Sequence, residues 1–591
     1  METKWLISEP DPEATSKISR ITGCHEIVAK LLVNRGITTP EDAFEFLNPT
    51  LLHLTDPFHL KDMKKAVERI YTAICNRERI LIFGDFDADG ITSTVLLNDF
   101  LSHAEAEVSW YIPHRIREGY SLKPSHIEMA VKQKCDLLIT VDCGSDSHDA
   151  VRAAIKEDID VIITDHHEIT TSPPPAFAVI NPKQRDCNAA LDHLAGVGVA
   201  FYLIIALRNH LRQKRFWEEI PEPNLMAYSD LFAIGTIADM VPLKGENRTL
   251  SKAGIEIIRQ GRREGVRALL QAGKVDQDTI DSDDISFKIA PRINAAGRIS
   301  HSRICVDLLM ERNRGKAEQS AFILDELNKK RQEREKRIVD EIESRILLNP
   351  EILKRSSIVM ADPNWSSGVL GIAASRISKK YCRPVVLIST SSIPGTVTAS
   401  RTADGLTSSD MPPPATGSGR SVGKINIHEA ISACSDLLEN FGGHLMAAGI
   451  SIKQENIGKF SERFEEKISE LSTSEDLLSI IAVDTNLQID EITEMLVDEI
   501  ERLRPFGTDN PEPLFQCYDV KVISSFVVGS RHRKMVIKQM NHSIEAMQFN
   551  VEQEDLASMP AYFEKIAFRV RMNRFNGKKS PQIIIEKSTC K

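Results

Sequence analysis

The chain has 591 residues, 42% hydrophobic and 27% charged, with a formal net charge of −10; at about 100–200 residues per domain that is roughly three to five domains, and the balance excludes a wholly disordered chain. Ten cysteines without a CxxC pair speak against a disulfide scaffold or zinc module and fit a reducing cytoplasm. No signal peptide and no apolar span of about 20 residues is read, so no membrane partner is expected.

Residues 515–591 carry 13 Lys and Arg against 7 Asp and Glu, a net +6 inside an acidic chain. An acidic body with a basic terminal module suits a polyanionic partner. Residues 1–75 are expected to be helical, with a stop at Gly36, an N-cap at Thr39 and Pro40 at the first helical position. From 79 to 182 apolar strands are predicted at 79–84, 107–112, 136–141 and 159–164. Helices are predicted near 91–103, 124–134 and 147–157. That rhythm is a doubly wound parallel sheet.

The chemistry lies in how these strands end. The first runs into Asp85, Asp87 and Asp89, the third into Asp142-Cys143-Gly144, the fourth into Asp165-His166-His167. Ligands of such sheets bind outside the carboxyl ends of the strands, so five Asp and two His reach one edge. One Asp after a strand is usually a turn or cap residue; a repeat at three strand ends is not explained that way. Crowded carboxylates repel unless a cation sits among them, and oxygen donors with one or two imidazoles suit Mn2+ or Mg2+. Arg115 follows another strand end on the same edge.

Residues 183–280 read as helices. The small-residue run Leu194–Ala200 is taken as a closely packed helix start, because no lysine follows to make a phosphate loop. Residues 316–347 form a charged helix with a stripe of Leu324, Leu327, Ile338, Ile342 and Ile346, bridging two lobes. A second lobe begins near 356, with strands at Ser357–Met360 and Pro384–Ile388 and a glycine turn opening a helix at Trp365–Arg376. It also holds Gly417-Ser418-Gly419-Arg420-Ser421 and Phe441 to Gly449, with His444 inside. Residues 390–416, rich in Ser, Thr, Pro and Gly, are expected to be a disordered insertion. Residues 475–591 read as short strands interleaving basic residues with Phe526, Phe549, Phe568 and Phe575. Phe575, beside Arg574 and Lys578, is the expected base stacker.

Asp85–Gly90, Val141–Gly144 and Asp165–His167 resemble motifs I to III of the DHH phosphoesterase superfamily, and Gly235–Asp239 the fourth. Nearly the whole chain resembles the superfamily's RecJ family. The resemblance implies an α/β fold: a parallel-sheet DHH domain and a smaller α/β DHH-associated domain joined by a long helix, plus a C-terminal OB-like β-barrel. The implied boundaries are 1–75, 76–315, 316–348, 349–470 and 471–591. It implies two divalent ions, Mn2+ or Mg2+, among Asp85, Asp87, Asp89, Asp142, Asp165, His166 and Asp239. Asp142, Asp165, His166 and His167 would be catalytic; Asp85, Asp165 and His167 are ligands or supports of ligands. Arg115, Ser418 and Arg420 would bind a terminal 5′-phosphate, with His444 facing the phosphate near the metals. The implied activity is 5′→3′ exonuclease action on single-stranded DNA, releasing nucleoside 5′-monophosphates, in DNA repair and recombination. A cytoplasmic monomer is expected, with a helicase and a single-strand-binding protein as partners. Two other readings are a nano-RNase or cyclic-dinucleotide phosphodiesterase, whose chains are shorter and lack the barrel, and a non-catalytic replication scaffold, whose relatives have lost the motif acids retained here.

Overall fold

The structure is a computed structural model describing residues 3–169, 172–391, 414–473, 475–529, 531–551, 556, 560–575 and 578–589. Its first sheet contains β2 (Arg79–Gly84), β3 (Glu107–Tyr111), β4 (Leu137–Val141), β5 (Asp160–Thr164) and β6 (Ala178–Ile180), after a short N-terminal strand β1 (Thr3–Ile7). The order is β3-β2-β4-β5-β6, all parallel. Every residue of β4 is buried, and all of β2 but Arg79, as continuous apolar runs covered on both faces require. Because β3 and β4 flank β2 on opposite sides, the chain reverses direction across the sheet there. The crevice at that switch opens at the carboxyl ends of β2 and β4.

Helix Ala88–His103 rises directly from β2. Its buried Thr92, Ser93 and Thr94 donate their hydroxyls to the carbonyls of Ala88, Asp89 and Gly90 (2.8, 2.7 and 2.7 Å), which lets a polar turn sit in the core. Helices from Gly196 to Met310 complete this lobe.

Helix Arg314–Leu348 then crosses to the second lobe. Its first half buries Ala317, Ala321 and Leu324 in the first core; its second half buries Ile338, Val339, Ile342 and Ile346 in the other. Between these stretches Arg331 donates to Glu335 and to Asn328, both at 2.7 Å. The second lobe is a sheet of order β10-β11-β9-β8-β7, from β7 (Ile358–Asp362), β8 (Val385–Ser389), β9 (Ala415–Arg420), β10 (Leu438–Gly443) and β11 (Ala447–Ile452). Most of the expected 390–416 insertion lies outside the described residues. Its end is corrected, since Ala415 and Thr416 belong to β9 and pair with Ile452 and Ser451.

After β12 (Ser479–Val483) and β13 (Thr485–Asn486), strands β14 (Phe515–Val528), β15 (His532–Gln539), β16 (His542–Gln548), β17 (Tyr562–Phe575) and β18 (Lys578–Thr589) close into a barrel through the β14–β17 pairing. The N-terminal segment is not purely helical: β1 pairs in parallel with β12. Helices Pro12–Thr22, Glu26–Asn34 and Pro40–Leu47 share one core with the barrel. Arg248 bolts the first lobe to both. Its guanidinium lies 3.7 Å from the Phe46 ring centroid and donates to the carbonyls of Phe46 (2.6 Å), Arg502 (3.0 Å) and Arg504 (3.2 Å). Among the described residues no helix is long and apolar enough to cross a membrane.

Candidate metal centre and phosphate grip

The three strand ends converge as the sequence pattern requires. His166 Nε2 lies 3.2 Å from Asp142 Oδ1, 3.6 Å from Asp239 Oδ2 and 3.8 Å from Asp89 Oδ2. Three groups each bring their ligand atoms within 4.8 Å of one another: Asp142, His166 and His167; Asp89, His166 and Asp239; Asp85, Asp87 and Asp142. Asp239 arrives from the end of helix Ser229–Ala238, almost 100 positions beyond Asp142.

Local backbone chemistry aims each acid. Asp87 caps helix Ala88–His103, accepting from the amides of Asp89 and Gly90. Asp89 accepts from Gly196 N (2.7 Å) and Val197 N (2.8 Å), the first amides of helix Gly196–Gln213, whose positive end favours a carboxylate. The small-residue run thus packs as a helix start, and its glycine has a steric reason: a Cβ at Gly196 would lie 2.5 Å from Asp142 Oδ1. Asp142 sits at φ +62°, a left-handed conformation that turns its side chain back into the crevice.

Asp165 differs from its neighbours. Oδ1 accepts from His166 N, His167 N and His167 Nδ1 (2.7, 3.1 and 2.8 Å), and Oδ2 from Ser145 N at 2.9 Å. Both oxygens are engaged and Asp165 holds His167, which matches the support role among the two expected of it, a carboxylate that fixes an imidazole.

The electrostatics test whether divalent cations fit. Burial, then the charges of the neighbouring aspartates, push Asp142, Asp239 and Asp85 well above the usual carboxylate range, and Asp89 to about 7. Burial drives His166 down to about 3. Burial would also lower His167, but the hydrogen bond and charge of Asp165 outweigh it and hold His167 at about 9. Asp85 Oδ1, Asp142 Oδ1 and both ring nitrogens of His166 are buried without hydrogen-bond partners. Such a set, costly alone, is a preformed donor shell for hard divalent cations.

Several supports escaped sequence reading. Asn181, at the end of β6, donates to Ser145 Oγ (2.8 Å) and to the His167 carbonyl (2.9 Å). The Tyr120 hydroxyl lies 3.0 Å from His167 Nδ1. Asn294 Oδ1 accepts from Ala88 N (2.8 Å), and Ser302 Oγ donates to the Phe86 carbonyl (2.6 Å). Asn181 carried a visible signal, since it follows an apolar triplet as the aspartates follow their strands.

The basic residues lie on both sides of the cleft. Arg115 stacks on the Phe86 ring at 4.7 Å, which ties it to motif I. Arg420, on β9, donates from Nη1 to Ser418 Oγ (3.2 Å) and the Gly419 carbonyl (2.7 Å). Burial, then the Arg115 charge, lowers the pKa of Arg420, so the guanidiniums of the two lobes feel one another. Neither forms an ion pair with a carboxylate among the described residues. His444 is exposed in the β10–β11 turn, its amide donating to the Ala447 carbonyl at 2.8 Å. In the barrel Phe568 is buried, whereas Phe526 and Phe549 are about half exposed. The side chain of Phe575 lies outside the described residues.

Comparisons with known proteins agree with this architecture. Residues 79–236 match the DHH family, N-terminal domain, residues 355–470 the DHHA1 domain and residues 483–587 the RecJ OB domain. The chain is 34% identical over 576 residues to the single-stranded-DNA-specific exonuclease RecJ of Escherichia coli, covering 95% of each. It superposes on crystal structures of Thermus thermophilus RecJ in complex with Mn2+ (TM-score 0.80, 29% identity, 100% of this chain and 80% of that one) and with Mg2+ (TM-score 0.74, 27% identity, 100% and 79%).

Proposed function

The chain belongs to the RecJ family of single-stranded-DNA-specific exonucleases, and from that premise we propose that this metal-dependent nuclease works from the 5′ end and releases nucleoside 5′-monophosphates. The observation that carries the reading is the convergence of Asp85, Asp87, Asp89, Asp142, His166 and Asp239 on one crevice with buried, unpartnered donor atoms. Asp87, Asp89, Asp142, His166 and Asp239, with Asp85, would hold two cations, Mn2+ or Mg2+. Bound there, such ions supply an activated water and offset the charge of the phosphodiester.

The chain's own groups do the rest. Asp165 orients His167 through its hydrogen bond to Nδ1, leaving the ring's other nitrogen for the phosphodiester. Arg115 and Arg420, with Ser418, grip the terminal 5′-phosphate as planar forks. His444 faces the scissile phosphate from the second lobe. Single-strand selection would come from a channel between the lobes too narrow for a duplex. The barrel carries the strand beyond, with the half-exposed Phe526 and Phe549 as stacking platforms alongside the expected Phe575. A cytoplasmic monomer acting in repair and recombination, fed by a helicase and a single-strand-binding protein, completes the proposal.

Degradation of single strands labelled at either end tests it. Early release of labelled mononucleotide from the 5′-labelled strand alone supports the stated polarity; early release from the 3′-labelled strand overturns it.

A further inference from the structure

Gly371 lies in the second turn of helix Ser367–Tyr381, where a glycine costs about 1 kcal/mol relative to alanine. Its φ is not positive, so the backbone does not demand glycine there. What excludes a side chain is the neighbouring strand. A Cβ at Gly371 would lie 2.7 Å from Arg420 Nη2, 3.0 Å from Ser418 Oγ and 3.3 Å from Arg420 Cζ. These nearest atoms all belong to side chains assigned above to the terminal phosphate, and none to backbone. The Arg420 guanidinium therefore rests on bare helix. It is drawn there by Ser418 Oγ and the Gly419 carbonyl and faces the like charge of Arg115 across the cleft. Neither Arg115 nor Arg420 is ion-paired with a carboxylate among the described residues, so both guanidiniums can take an anion.

We propose that Gly371 is a positioning residue: by lacking a side chain it seats Arg420 and Ser418, and so sets how strictly the nuclease requires a 5′-terminal phosphate. The inference rests on the reading of Arg115, Ser418 and Arg420 as the terminal-phosphate grip. A methyl group at 371 displaces the end of a flexible side chain, so the fold accepts it while the fork shifts away from the phosphate. The metal centre lies in the other lobe and is not touched.

Binding of otherwise identical 5′-phosphorylated and 5′-hydroxyl oligonucleotides to EDTA-treated protein reads this without turnover. Gly371→Ala is expected to weaken binding of the phosphorylated strand roughly tenfold, the order of one misplaced charge-assisted hydrogen bond, and to leave the hydroxyl strand unchanged. With metal restored, KM for the phosphorylated strand rises while kcat stays within twofold. In an Arg420→Ala background Gly371→Ala should add nothing further, since the effect runs through Arg420. If the single variant does not fold because of the clash, the double variant should. Equal weakening of both strands, an undiminished effect in the Arg420→Ala background, or no change in discrimination overturns the proposal. If wild type and Arg420→Ala both fail to distinguish phosphate from hydroxyl, the grip reading falls first; if Arg420→Ala loses discrimination and Gly371→Ala keeps it, only the role of Gly371 falls.

Discussion

In the first lobe Asp89 receives two helix amides, Asp87 caps a helix, and Asp142 is turned inward by a left-handed backbone and pressed by a glycine. In the second lobe Ser418 and Arg420 lie half-buried on one strand, held by each other, one carbonyl and the missing side chain at Gly371. The acids are fixed by main chain and burial, the basic grip by side-chain contacts that shift at little cost to the fold. Hydrolysis needs its donors within a fraction of an ångström, whereas recognition of a strand end tolerates displacement and loses only selectivity. Substitutions at the metal centre should therefore abolish cleavage of every end, and substitutions in the basic grip should change which ends are accepted.

The largest effect is expected at Asp142. Asp142→Ala should lower kcat by roughly 10³-fold or more on phosphorylated and hydroxyl ends alike, the scale of removing one member of a catalytic set. A loss confined to one kind of end would erase the contrast between the lobes. Next comes Asp165→Asn, which leaves His167 without its anchor and should cost about 10- to 100-fold in activity.

The same pair gives a pH signature in the metal-free protein. His167 titrates at about 9, above its ordinary 6.5. Its partnership with Asp165 therefore stabilises the fold in full below pH 6.5 and is lost as the pH rises through about 9. Tm of the metal-free wild type should fall across that window, and that of Asp165→Asn should fall less; parallel curves would contradict the assignment.

Arg115→Ala should raise KM for 5′-phosphorylated strands about tenfold, as expected for a lost charge-assisted hydrogen bond, with kcat nearly unchanged. A fall in kcat alone would move Arg115 from the grip to the chemistry. The smallest effect belongs to the barrel. Phe526→Ala or Phe549→Ala should weaken long strands about fivefold, at the lower end of base stacking. Strands too short to reach the barrel should be unaffected.

The metal side of the cleft was legible because buried parallel strands announce themselves as apolar runs and their aspartates fall at the same end. The five-stranded sheet hid only β6, three residues long and below the length at which periodicity speaks, so the apolar triplet before Asn181 was the one signal that could have found it. The N-terminal strand was missed for another reason: its partner β12 lies more than 470 positions away. Gly196 and Gly371 sit in helices where local propensity disfavours glycine, and only side chains from distant strands explain them. The sequence likewise could not separate Phe568, which the barrel buries, from Phe526 and Phe549, which it leaves outside, because the facing of a side chain there depends on strand register, which the sequence alone does not fix.

The most direct measurement is titration of the metal-stripped protein with Mn2+, following the free-ion signal by electron paramagnetic resonance. The convergence of the acids predicts two ions bound per chain, lost in Asp142→Ala and retained in Arg420→Ala. An undiminished free signal with wild type, or equal binding by Asp142→Ala, would contradict it.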